Sequence, residues 1–70
     1  MYELKNQINS FTISFQLARD AIEYFTKQVS KDNILTLTDT DTGLVIATND
    51  FGSEWIDKNF LINLLKTLDK

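Results

Sequence analysis

Residues 34–48, ILTLTDTDTGLVIAT, constrain the fold more than any other stretch of this chain. Two runs rich in Thr, Ile, Leu and Val, Ile34 to Asp39 and Leu44 to Thr48, flank a cluster of turn residues. That is the pattern of a β-hairpin, with Gly43 supplying the backbone freedom to close it. Pairing Asp39 with Leu44 puts Leu35, Leu37, Leu44 and Ile46 on one face, and Thr36, Thr38, Val45 and Ala47 on the other. A sheet with one apolar face has to be covered, and the flanking sequence offers two amphipathic covers.

The first is a helix expected from about Phe15 to Ser30. Ala18, Ile22, Phe25 and Val29 recur at 4-3-4 spacing, with Leu17, Ala21 and Tyr24 beside them. Ser14 is placed to cap it, and Lys27 and Lys31 suit its C-terminal end. The second is expected from about Glu54 to Leu68, with Ile56, Phe60, Leu61, Leu64, Leu65 and Leu68 forming a wide stripe. Ser53 serves as its cap, with Glu54 and Asp57 in the first turn.

Residues 1–14 fit two patterns. As strands, Tyr2 and Leu4 alternate with Glu3 and Lys5, and Phe11 and Ile13 with Thr12 and Ser14. A tight turn at Asn9-Ser10 then sets Ile8 opposite Phe11 and Leu4 opposite Phe15. As a helix, Leu4, Ile8, Phe11 and Phe15 lead into Ala18 at the same spacing. The stretch NSFTIS is poor helix material, which favours strands. The expected fold is α+β: a two-layer ββαββα domain over residues 1–70, a four-stranded antiparallel sheet with two helices on one face. The alternative is αββα with one long N-terminal helix. The open sheet face would carry Glu3, Lys5, Gln7, Thr12, Thr36 and Thr38.

Seventy residues make one small domain, whose stability is expected to be on the order of 3–5 kcal/mol. Cysteine and histidine are absent. Disulfides, zinc sites, and thiol and imidazole chemistry are therefore excluded, which leaves association as the remaining way to reinforce the fold. No secretory signal is visible, and the apolar runs are far too short for a membrane span, so a cytoplasmic protein is expected. Lysine outnumbers arginine six to one. That bias, with frequent asparagine, fits an AT-rich coding genome such as that of a low-GC bacterium or its phage.

The hairpin tip contains Asp41-Thr42-Gly43, the tripeptide that carries the catalytic aspartate of aspartic proteases. Those enzymes need two aspartates sharing a proton, on β-rich barrels where the motif follows an apolar strand. Here Thr38-Asp39-Thr40 precedes it and two helices flank the hairpin. Read as a calcium loop from Asp39, the segment has Gly43 at position five and Leu44 at six, so the glycine is misplaced and a ligand is missing. A structural turn is the reading that fits. No phosphate loop or nucleophile motif occurs either, and an enzyme is not expected. Neither a cofactor nor a metal is implied.

Charge is the one feature that points toward function. No basic residue lies between Lys31 and Lys58, while Asp32, Asp39, Asp41, Asp50, Glu54 and Asp57 give that window a charge of −6 against −3 for the whole chain. Acids at turns and helix starts need no function. Asp39 and Asp41 fall at the hairpin tip, and Asp50, Glu54 and Asp57 where the second strand hands over to the second helix, so one patch or two clusters at opposite ends of the hairpin are both open. Read functionally, they form a surface that docks on a basic partner, as in an inhibitor occupying a cationic groove. Trp55 stands among them, and Trp is enriched at interface hot spots. The candidate partner-binding residues are thus Asp39, Asp41, Asp50, Glu54, Trp55 and Asp57. The expected function is a small acidic, non-enzymatic protein-binding module or inhibitor. The alternative is a structural or regulatory homodimer joined by sheet edges or helix faces. Nucleic acid is not an expected partner, because no basic stripe or aromatic-bearing open face is predicted; nor is a small-molecule substrate.

Overall fold

The computed structural model describes residues 1–68; Asp69 and Lys70, and the side chains of Thr67 and Leu68, lie outside what is described. Its elements in chain order are β1 (Tyr2–Asn6), β2 (Phe11–Phe15), α1 (Ala18–Gln28), β3 (Ile34–Asp39), β4 (Leu44–Asp50), β5 (Ser53–Ile56) and α2 (Lys58–Leu68). The fold is α+β, with five antiparallel strands in the order β2-β1-β3-β4-β5. The sheet therefore has one strand more than expected, and residues 1–15 form strands rather than an extension of α1.

The first hairpin turns over four residues. Asn6 Oδ1 accepts from the Ile8 amide and Asn9 Oδ1 from the Phe11 amide, both at 3.0 Å, and Ser10 takes φ 60. These side chains hold the turn that the backbone alone leaves open. The longer turn pairs Leu4 with Ile13 and Tyr2 with Phe15, shifting the expected Leu4–Phe15 register by two. Ile8 is left exposed in the turn instead of facing Phe11.

β1 then pairs with β3, Leu4 opposite Leu37, so the first strand lies inside the sheet. α1 spans the connection and packs against β1, β2 and β3. It is shorter than its apolar spacing implies. Ser14 is held in β2 opposite Glu3, and the N-cap falls on Leu17, which offers no side-chain hydrogen bond. Ala21 and Phe25 are fully buried, and Ile22, Tyr24 and Val29 pack around them.

The central hairpin pairs Asp39 with Leu44, as read from the sequence, but a bulge between Leu37 and Thr38 sets Leu37 opposite Ala47. The extra residue lets both Ile46 and Ala47 turn inward. Ala47, expected on the open face, belongs to the core with Leu4, Leu35 and Leu37.

β5 replaces the expected start of the second helix. Phe51 (φ 50) and Gly52 (φ 95) both adopt positive φ, the signature of a two-residue type I′ turn between Asp50 and its partner Ser53. Ser53 and Glu54 are strand residues, not a cap and a first helical turn. The cap of α2 is Asp57, whose Oδ2 accepts from the Phe60 amide at 3.0 Å.

Asn49 is the one fully buried polar residue among those described. Its Nδ2 donates to Asn33 Oδ1 at 2.6 Å and to the Asn33 carbonyl at 3.1 Å. Its Oδ1 accepts from the Gly52 amide at 3.1 Å. One side chain thus ties the α1–β3 connection to the β4–β5 turn, and every buried side-chain donor and acceptor described is satisfied.

Candidate functional site

The acidic residues do not form one patch. β-pairing places Tyr2, Phe15, Asp39 and Leu44 at one end of the sheet, and Asn6, Phe11, Asn49 and Asp50 at the other. Asp39 and Asp41 lie at the first end. Asp50 and Glu54 lie at the second, Glu54 being opposite Asn49 on β5. Asp57 follows β5 back toward the middle, where its amide bonds the Ile46 carbonyl at 2.9 Å. Among the described residues no group of three or more potential ligands is placed to hold a metal ion.

Three of these acids also have local work. Asp39 Oδ1 accepts from the Asp41 amide at 3.0 Å. Asp41 Oδ2 meets the N-terminal ammonium at 3.1 Å. Asp57 caps α2. These are turn and cap duties that fix the hairpin tip and the start of the helix.

Trp55 lies on β5 and not in the expected second helix. On β5 it pairs with Thr48, which pairs in turn with Thr36. Directly opposed residues share a face, so Trp55 stands on the open sheet face with Thr36, Thr38, Thr12, Lys5 and Glu3. Gln7, beyond the end of β1, reaches that face through a 3.3 Å bond to Thr36 Oγ1. Trp55 is about half exposed.

A groove of about 570 Å³ opens at the Asp39 end. Its walls are Tyr2 and Asp39 of the sheet, Leu17 and Ala18 at the start of α1, and Phe60 and Leu64 of α2, with Arg19 on its margin. The Phe60 ring meets Tyr2 edge-on at 6.0 Å, the contact that seats α2. Burial, and then the carboxylates of Asp39 and Asp41, push the Tyr2 phenol above its ordinary pKa. The phenol is therefore a neutral donor at physiological pH, not a base.

Beside the groove the outer side of α2 exposes apolar residues, with Lys58 and Lys66 one turn to either side of Ile62. Phe60 and Leu64 face inward at i, i+4, while Leu61, Ile62 and Leu65 are exposed, Ile62 and Leu65 by 51% and 52%. Leu17, 52% exposed, extends this surface onto the start of α1. A helix apolar on most sides ordinarily lies inside a larger core or against a partner. The sequence stripe already contained Leu61 and Leu65. What it did not reveal is that, of the described α2 residues, Phe60 packs against the core while Leu64 lines the open groove.

Compared with known protein families, with curated proteins and with solved structures, the chain gives no match.

Proposed function

We propose that the protein is a small non-enzymatic binding module that works by protein–protein contact, through the outer side of α2 and the adjoining groove. The observation that carries this reading is the exposure of Leu61, Ile62 and Leu65 on a helix whose opposite side already packs on Tyr2. Apolar burial is the largest source of binding energy such a surface offers. Of the candidate acids, Asp39 stands in the groove wall, Asp41 is bonded to it at the hairpin tip and Asp57 caps α2. They suit a partner whose apolar segment is flanked by Lys or Arg, with the charges steering approach and the apolar contact supplying affinity. Asp50, Glu54 and Trp55 stand apart from this surface. A partner spanning the whole acidic window would have to wrap both ends of the sheet.

The test compares capture from a lysate by wild type with three variants: Leu61→Asn/Ile62→Asn/Leu65→Asn, Asp39→Asn/Asp41→Asn/Asp57→Asn, and Asp50→Asn/Glu54→Gln. The reading expects one partner lost with the first, weakened and made less salt-sensitive with the second, and unchanged with the third. Asn at 57 keeps the helix cap, so the second variant reports on charge. A partner retained by the first and lost by the third places the contact on β5 and overturns the reading.

A further inference from the structure

The two edges of the sheet are built in opposite ways. β5 is four residues long, carries Glu54, and is bracketed by Asp50 and Asp57. A second copy laid along it meets like charge. β2 has no charge at all, and none occurs between Lys5 and Arg19. It contains no proline, and its five-residue register with β1 runs without a bulge. Charge, proline and bulges are the devices that keep an edge strand from pairing with another chain, and β2 lacks all three. Its sequence, Phe11-Thr12-Ile13-Ser14-Phe15, has the same pattern in both directions.

We infer that two copies of this chain associate through β2, antiparallel about a two-fold axis at Ile13, joining two five-stranded sheets into one of ten strands. In that register Phe11 faces the partner's Phe15, Thr12 faces the partner's Ser14, and Ile13 faces its own counterpart. Every cross-strand pair joins like types, as an isologous contact requires. A second feature agrees. Phe15 lines a cleft of about 240 Å³ with Tyr24 and the side chains of Asp20, Glu23 and Lys27, and its ring lies 5.4 Å from that of Tyr24. The partner's Phe11, 47% exposed in the single chain, arrives beside Phe15 at this cleft. Each end of the paired strands thereby gains a three-ring aromatic cluster. Two β1 strands are then three strand spacings apart, about 14 Å. α1 lies across β1, β2 and β3, with β1 the middle of the three, so two copies of α1 set apart by about the distance between the two β1 strands fit side by side without overlap. The inference does not rest on the proposed use of α2.

Sedimentation equilibrium tests it on wild type and three variants, with circular dichroism to verify the fold of each. Thr12→Lys/Ser14→Lys sets Lys against Lys twice across the axis. It should weaken the dimer about ten-fold or more. Thr12→Glu/Ser14→Lys sets Glu against Lys twice across the axis, and also pairs favourably with Lys5 and Glu3 within the chain. It should dimerise at least as well as wild type. Phe11→Ala removes the exposed ring and should weaken association while leaving the monomer folded, which keeps the test open if the double-lysine variant misfolds. A wild type that stays monomeric at all concentrations overturns the inference. So does equal behaviour of the two charged variants, or a dimer that instead dissociates on Leu61→Asn/Ile62→Asn/Leu65→Asn.

Discussion

α1 and α2 are each eleven residues long and both carry an apolar stripe, yet they do different things. α1 lies across three strands and buries Ala21 and Phe25 completely. α2 has no fully buried residue among those described, and it meets the sheet mainly where Phe60 touches Tyr2. The difference shows that amphipathicity states how much surface a helix needs covered, but not what covers it. For α1 the answer is its own sheet. For α2 most of the answer lies outside the chain.

The contrast breaks most sharply at Phe25. Phe25→Ala should cost about 3–5 kcal/mol, close to the whole stability expected of the domain, and leave the chain unfolded at room temperature. Leu65→Ala, a smaller truncation on the exposed side of α2, should lower the unfolding free energy read from a urea titration by no more than about 0.5 kcal/mol. Equal losses from the two would mean that α2 is as much a part of the core as α1.

Asn49→Ala should cost about 2–3 kcal/mol, since it strands the Gly52 amide and the Asn33 groups it serves. The loss should appear as exposed amides across the β4–β5 turn and the α1–β3 connection together, in a hydrogen-exchange map. Asp57→Ala should cost about 1 kcal/mol, felt as faster exchange in α2 with α1 unchanged, because the cap belongs to the weakly seated helix alone.

The smallest effect expected is on pH dependence. The Tyr2 phenol has its pKa raised in the folded state by burial and by Asp39 and Asp41. Its contribution is therefore fully present below the unfolded-state pKa and is lost as pH rises through the folded-state pKa. Tyr2→Phe should flatten the alkaline limb of a stability–pH curve. An unchanged limb would show that the phenol is too well solvated to matter.

Much of this fold was legible in the sequence, for physical reasons that can be named. The Thr-rich central hairpin, the turn at Gly43 and the packing side of α1 all follow from period and turn chemistry. β5 was hidden because its turn places Phe51, not Asn or Asp, ahead of Gly52 at a positive-φ position. Ser53-Glu54, read forward, also imitates a helix cap. The bulge that turns Ala47 inward leaves no local mark, because Ile46 and Ala47 are both small enough and apolar enough for either face. At the candidate site, Asp39, Asp41 and Asp57 were rightly placed near the hairpin tip and the head of a helix. The distance of Asp39 and Asp41 from Asp50 and Glu54 was legible too, because a hairpin of about five residues sets its tip and its far end apart. What was hidden with β5 is that this strand carries Asp57 back toward the middle, away from Asp50 and Glu54. Asn49 gave no signal, since one Asn at the end of a strand looks like any turn residue.

The interior position of β1 also dictates the order in which the chain can become structured. β1 is synthesised first, and its hairpin with β2 is local enough to form within microseconds. A lone two-stranded hairpin is marginal in water, however. Its other edge waits for β3, with Leu4 finding Leu37 only after α1 has been made. Lasting structure therefore waits at least for the third strand to close against the first, and Ile46 and Ala47 of β4, which share the core, come later still. Nascent chains cut short before residue 39 should gain no lasting structure.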